Sequence, residues 1–99
     1  FMELLTLEEL MLAQEGEAHR LLEQGNFNRD GPMPVNPSGG SLAMGVQLEA
    51  TGLARLVEAV LQLRDEAGRH QVRGAERAVV ATWRGVPTYT SAVAVLSSG

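Results

Sequence analysis

Leucine and methionine recur at three- to four-residue intervals through the first thirteen positions, at 4, 7 and 11 and again at 5 and 12, the period of a half-buried helix. Thr6 and Glu9 have the spacing of a capping box. The periodicity runs through Thr6, however, and predicts one continuous helix over 1–13 that Gly16 interrupts. A second short helix is expected over 17–24, with Leu21 and Leu22 as its apolar contacts and Gly25 as a left-handed stop. From 26 to 37 the density of Asn, Asp, Gly and Pro excludes a regular helix and predicts a surface loop. Turn formation accounts for Asn28, Arg29 and Asp30 better than a ligand role does.

Gly39, Gly40 and Gly45 bracket a short strand expected over 40–44, where the backbone either turns tightly or is closely approached. From 49 to 67, Leu53, Leu56, Val57, Val60 and Leu61 form the stripe of a long helix, with Arg55, Glu58, Gln62, Asp65 and Glu66 mostly off it and Gly68 as its stop. Its positive N-terminal end suits an anionic ligand, although Glu49 sits there too.

Two runs rich in valine and alanine, 77–82 and 90–96, read as strands with both faces covered, because they are nearly continuous rather than alternating. One long helix and two short ones are too few to cover such a sheet. The fold is therefore expected to be completed by another segment or chain, in an obligate assembly. Strand, helix and strand from 40 to 82 predict a right-handed parallel crossover, and the link 83–89 predicts an antiparallel final pair.

The chain has 99 residues, about one small domain, and 44% hydrophobic content, which is ordinary for a globular protein. Twelve acidic residues against eight basic ones give a net charge of −4, the wrong sign for nucleic-acid binding. Every basic residue is arginine, so Schiff-base and phosphate-loop lysines are excluded within the chain. Without cysteine it has no disulfide and no thiolate nucleophile, and two distant histidines predict no metal site. No apolar run approaches the roughly 18 residues of a membrane span. No signal-peptide pattern opens the chain, so a cytoplasmic location is expected. A start at Phe1, already helical, suggests a piece of something longer.

Asn36-Pro37-Ser38-Gly39-Gly40, then Gly45 and Thr51-Gly52 leading into Leu-Ala-Arg-Leu-Val-Glu-Ala-Val-Leu-Gln-Leu-Arg, resembles the C-terminal region of thiolases, of the sterol-carrier-protein or lipid-transfer type. The resemblance continues through Gln71-Val72, Gly74-Ala75 and the final apolar strand, and covers essentially all 99 residues. It implies an α/β fold, the C-terminal part of a thiolase-like domain with a mixed sheet and helices on both faces. It also implies a subunit that dimerises, of which residues 1–99 are about the last quarter and incomplete alone.

The chemistry implied is Claisen condensation or its reverse, thiolysis, on an acyl-coenzyme A, with the thioester as substrate and no further cofactor. The family's cysteine nucleophile lies outside this chain. Its activating histidine, in a Gly-His-Pro-Leu-Gly-Ala-Thr-Gly turn, corresponds to Val46, and its late-loop cysteine or histidine to Thr82. Neither replacement exchanges a proton near neutral pH. The resemblance assigns Asn36, Gly39, Gly40, Val46 and Gly85 to substrate binding. It leaves three expectations: an acyl-coenzyme A acyltransferase with degenerate catalytic motifs, a non-catalytic subunit of a thiolase-like assembly, or a carbon–carbon lyase using Tyr89. His19 and His70 are expected in solvated surface roles, and Trp83 and Arg84 at a subunit contact or against a nucleotide.

Overall fold

The structure, a computed structural model, describes residues 2–84 and 90–99. They form two compact units, Phe1–Val35 and Asn36–Gly99.

In the first unit, α1 (Met2–Glu9) and α2 (Ala18–Glu23) enclose a core of Leu7, Ala18 and Phe27, with Leu4, Leu12, Leu21, Met33 and Val35 packed around it. The second helix, the stop at Gly25 and the loop that follows agree with the sequence pattern. Gly25 is left-handed at φ +77°, and the N–H groups of Gly25 and Asn26 return to the carbonyls of Leu22 and Leu21, each at 3.0 Å.

The first helix is shorter than its periodicity predicts. Met11, 90% exposed, turns left-handed at φ +56°, and its N–H and that of Leu12 close on Glu8 and Leu7, each at 2.9 Å. A left-handed methionine costs about 1 kcal/mol. The reversal brings Leu12 and Ala13 back onto the Leu7 cluster, and their burial offsets that cost.

Glu8 joins the two helices, its Oε1 accepting the N–H of Ala18 at 3.2 Å. The N–H groups of Gly16 and Ala18 hold its carboxyl below the 4.5 of a free glutamate. A depressed folded pKa stabilises the native state above the unfolded value, and that stability disappears as pH falls through the folded value. Glu8→Gln is therefore expected to lower the melting temperature at neutral pH and to flatten its acid-side decline below about pH 4.5, in melts followed from about pH 3 to 7.

The second unit contains α3 (Gly40–Met44), a 3-10 turn (Leu48–Ala50), α4 (Thr51–Leu63), a second 3-10 turn (Gly68–His70), β1 (Arg77–Arg84) and β2 (Thr90–Ser97). The α/β class and the antiparallel pairing of the last two strands match the sequence expectation. Register runs from Arg77 opposite Ser97 to Arg84 opposite Thr90.

Three expectations are overturned. Residues 40–44 are one helical turn rather than a strand, because Gly39 (φ +88°) and Gly40 (φ +59°) both turn left-handed and reverse the chain. Without that strand there is no parallel crossover, and the sheet of the described residues has two antiparallel strands. The long helix also ends at Leu63, short of 67. Asp65, left-handed at φ +60°, makes the stop: its N–H reaches Gln62 at 3.2 Å, and that of Glu66 reaches Leu61 at 2.8 Å. Glycine suits that conformation without strain and Asp65 is exposed, so Asp65→Gly is expected to raise stability by about 1 kcal/mol in thermal melts.

The hairpin has two unlike faces. Ala78, Val80, Ala94 and Leu96 lie on the face toward α4, with Val80 buried. On the other, Val79 pairs with Val95 and Ala81 with Val93, and Val79, Val93 and Val95 are exposed. The helix is similarly open. Gly52 and Arg55 approach the hairpin and Ala59 is buried, whereas Leu53 and Val57, about 100° further round from Gly52 and from Leu56, are exposed. Helix and hairpin thus each carry a second apolar face, open to a further layer.

Candidate functional site

Five left-handed residues, Asn36, Gly39, Gly40, Gly45 and Leu48, fold the stretch that carries the motif into a succession of reversals. The carbonyl of Asn36 accepts the N–H of Gly39 at 2.8 Å. A Cβ on Gly39 would lie 2.4 Å from that of Ala43, and one on Gly40 would lie 3.3 Å from Asn36 Cγ. Substitution at Gly39 meets both a collision and a forbidden backbone angle.

Beyond α3 the chain is exposed. Val46 is 64% exposed and Leu48 is open too, and with Leu42 and Met44, which are exposed on α3, they make an apolar strip followed by Glu49. Thr51 ties the end of the strip to α4, its hydroxyl donating to the carbonyl of Leu48 at 2.8 Å. Gly52 then lets α4 approach β1: a Cβ there would stand 3.2 Å from Thr82 Cγ2 and 3.3 Å from its Oγ1. Thr82 is thereby placed beside the end of the motif. Asn36, Gly39, Gly40 and Val46 lie along the motif itself, and Gly85 and Tyr89 lie outside the described residues.

Two groups carry more of this geometry than their sequence pattern indicates. Arg55, expected off the packed stripe, is half-buried and donates from Nη1 to the carbonyl of Ala81 at 3.0 Å and from Nη2 to Ser41 Oγ at 3.4 Å. Its signal is the i+3 spacing from Gly52, which puts both on the helix face that meets β1.

Gln62, at 6% exposure, is the other. Its Nε2 donates to the carbonyl of His70 at 2.8 Å and to Glu58 at 3.0 Å, and its Oε1 accepts the N–H of Val72 at 2.8 Å. Gln71 adds bonds to the Gln62 carbonyl at 2.9 Å and from the Ala67 N–H at 2.8 Å. His70, expected to be solvated, is half-buried and meets the Glu58 carboxylate at 3.2 Å, a fold-holding role. His19 is exposed. Trp83 is half-buried on the hairpin face opposite α4. Among the described residues no group of three or more histidines and carboxylates is placed to hold a metal, and no helix is long and apolar enough to cross a membrane.

A helix closing on an antiparallel hairpin, entered through an asparagine and double-glycine turn, defines a small α/β unit. Residues 1–98 match the thiolase C-terminal domain-like family, and the chain belongs to it. It is 51% identical over 73 residues to an acetyl-CoA acetyltransferase of Methanothermobacter thermautotrophicus, a match spanning 74% of this chain and 19% of that protein. It is 47% identical over 77 residues to sterol carrier protein 2 of Bos taurus, over 78% of this chain and 14% of that one. It is 36% identical over 75 residues to a benzoylsuccinyl-CoA thiolase subunit of Thauera aromatica, over 76% and 20%. The chain thus spans a fifth or less of the length of these curated relatives.

Proposed function

We propose that this chain is part of a thiolase-type acyl-coenzyme A acyltransferase in which residues 36–52 and Thr82 border the acyl-coenzyme A site. The observation that carries the proposal is the 51% identity to an acetyl-CoA acetyltransferase. The left-handed turns at Asn36, Gly39 and Gly40 and the exposed apolar strip through Val46 support it. Asn36, Gly39, Gly40, Val46 and Gly85 contact the substrate in this account. With valine at 46 and threonine at 82, neither position supplies a base, so proton transfer is slow or comes from elsewhere in the assembly. The thioester is the substrate and no cofactor or metal is needed, and the protein works in the cytoplasm as a dimer or larger assembly.

Val46 also favours a second reading, a non-catalytic subunit that keeps the fold and has lost the chemistry. Thiolysis of acetoacetyl-coenzyme A by the full-length protein separates the two. The acyltransferase reading predicts saturable turnover at least about a hundredfold below an ordinary kcat of about 10 s⁻¹. Turnover indistinguishable from the uncatalysed reaction would leave the non-catalytic subunit.

A further inference from the structure

Helix α3 is lightly held. Gly40 and Ser41 are half-buried, while Leu42, Ala43 and Met44 face solvent. Ser41 is reached from α4 by Arg55 Nη2 at 3.4 Å, and Nη1 of the same guanidinium holds the carbonyl of Ala81 at 3.0 Å. Ala81 immediately precedes Thr82. One planar fork thus touches both segments that border the proposed site, from a helix anchored at its other end by the buried Gln62.

We infer that Arg55 is a positioning residue that sets the spacing between α3 and the Thr82 end of β1, and with it the width of the acyl-coenzyme A pocket; this rests on the function proposed above. The guanidinium suits the task because its donors diverge at fixed angles from one rigid plane, so satisfying both acceptors fixes their separation. A lysine ammonium, a single point on a flexible stem, satisfies one acceptor without fixing the other. Released from the fork, α3 has to be reordered each time ligand binds, and that ordering is subtracted from affinity.

The test is acetyl-coenzyme A titration of the full-length protein by calorimetry, with melting temperature and amide exchange measured alongside. Arg55→Met is expected to weaken binding about tenfold. It should also speed exchange at the Gly45 N–H, which donates to the Ser41 carbonyl at 3.1 Å. Ser41→Ala, which spares the bond to Ala81, should weaken binding a few-fold. In the double variant its effect should vanish, because the two residues act through one contact. Arg55→Lys should fall between wild type and Arg55→Met. Lower melting temperatures with unchanged affinity for both single variants would overturn the inference, as would additive losses in the double variant. Should Arg55→Met fail to fold, Ser41→Ala decides alone, and unchanged affinity overturns the inference. If the wild-type protein itself gives no heat, the acyl-coenzyme A proposal fails and this inference with it. Wild-type binding that Arg55→Met leaves intact sinks the inference only.

Discussion

Val46→His in the full-length protein is expected to raise acetoacetyl-coenzyme A thiolysis by about 10²–10⁴-fold, the contribution of a positioned general base. An imidazole with an unperturbed pKa near 6.5 exchanges protons with a thiol at neutral pH, and an isopropyl group does not. The site tolerates the larger side chain because Val46 is 64% exposed and follows Gly45 at φ +84°, a turn that does not depend on the side chain at 46. Melting temperature should hardly move, as for other surface substitutions. A rate unchanged from wild type, with acetyl-coenzyme A still bound, would contradict the assignment of position 46 to proton transfer.

Gln62→Leu should be the most damaging single substitution at the C-terminal end of α4, at about 3 kcal/mol. Leucine has a similar volume but removes the partner of the N–H of Val72 and of the carbonyl of His70, both on half-buried residues, and a group left unsatisfied away from water costs about 1–3 kcal/mol. Hydrogen exchange resolves this locally: protection at Val72 should collapse, and the 68–72 segment should open before the hairpin does. If Val72 stays protected, the bonds of Gln62 are not what holds that segment on α4. Because α4 carries Gly52 and Arg55 at its other end, the same loss should weaken the approach to Thr82.

Elements set by local pattern were legible in the sequence. The long helix, expected over 49–67 and found over 51–63, and the two terminal strands follow from periodicity and β-branched content, and Gly25 closes its helix as its position predicts. From Asn36 to Gly52 the need for tight turns was legible in the glycines, which occupy backbone angles that other residues disfavour, but the helical turn at 40–44 was not.

What was hidden depends on tertiary contact. Two adjacent glycines fit a strand boundary or a double reversal equally well, and the clash a Cβ on Gly39 would make with Ala43 is invisible without coordinates. Met11 accepts a strained angle because Leu12 gains a core. Of the apolar stripe of α4, Leu56, Val60 and Leu61 are half-buried while Leu53 and Val57 stay open, and Gly52 and Arg55 meet the hairpin from off the stripe. A helix with two faces to cover shows a pattern that does not say which partner covers which. Val46 and Thr82 were placed by resemblance, and the structure adds that Gly52 brings Thr82 against the end of the motif.

Acetyl-coenzyme A titrated into the full-length wild-type protein, followed by calorimetry, shows whether residues 36–52 border an acyl-coenzyme A site. Saturable binding with a dissociation constant at or below about 1 mM, and a negative heat-capacity change from burial of the apolar strip, is the predicted result. No heat with acetyl-coenzyme A or a longer acyl-coenzyme A at millimolar concentration, at two temperatures, would contradict it.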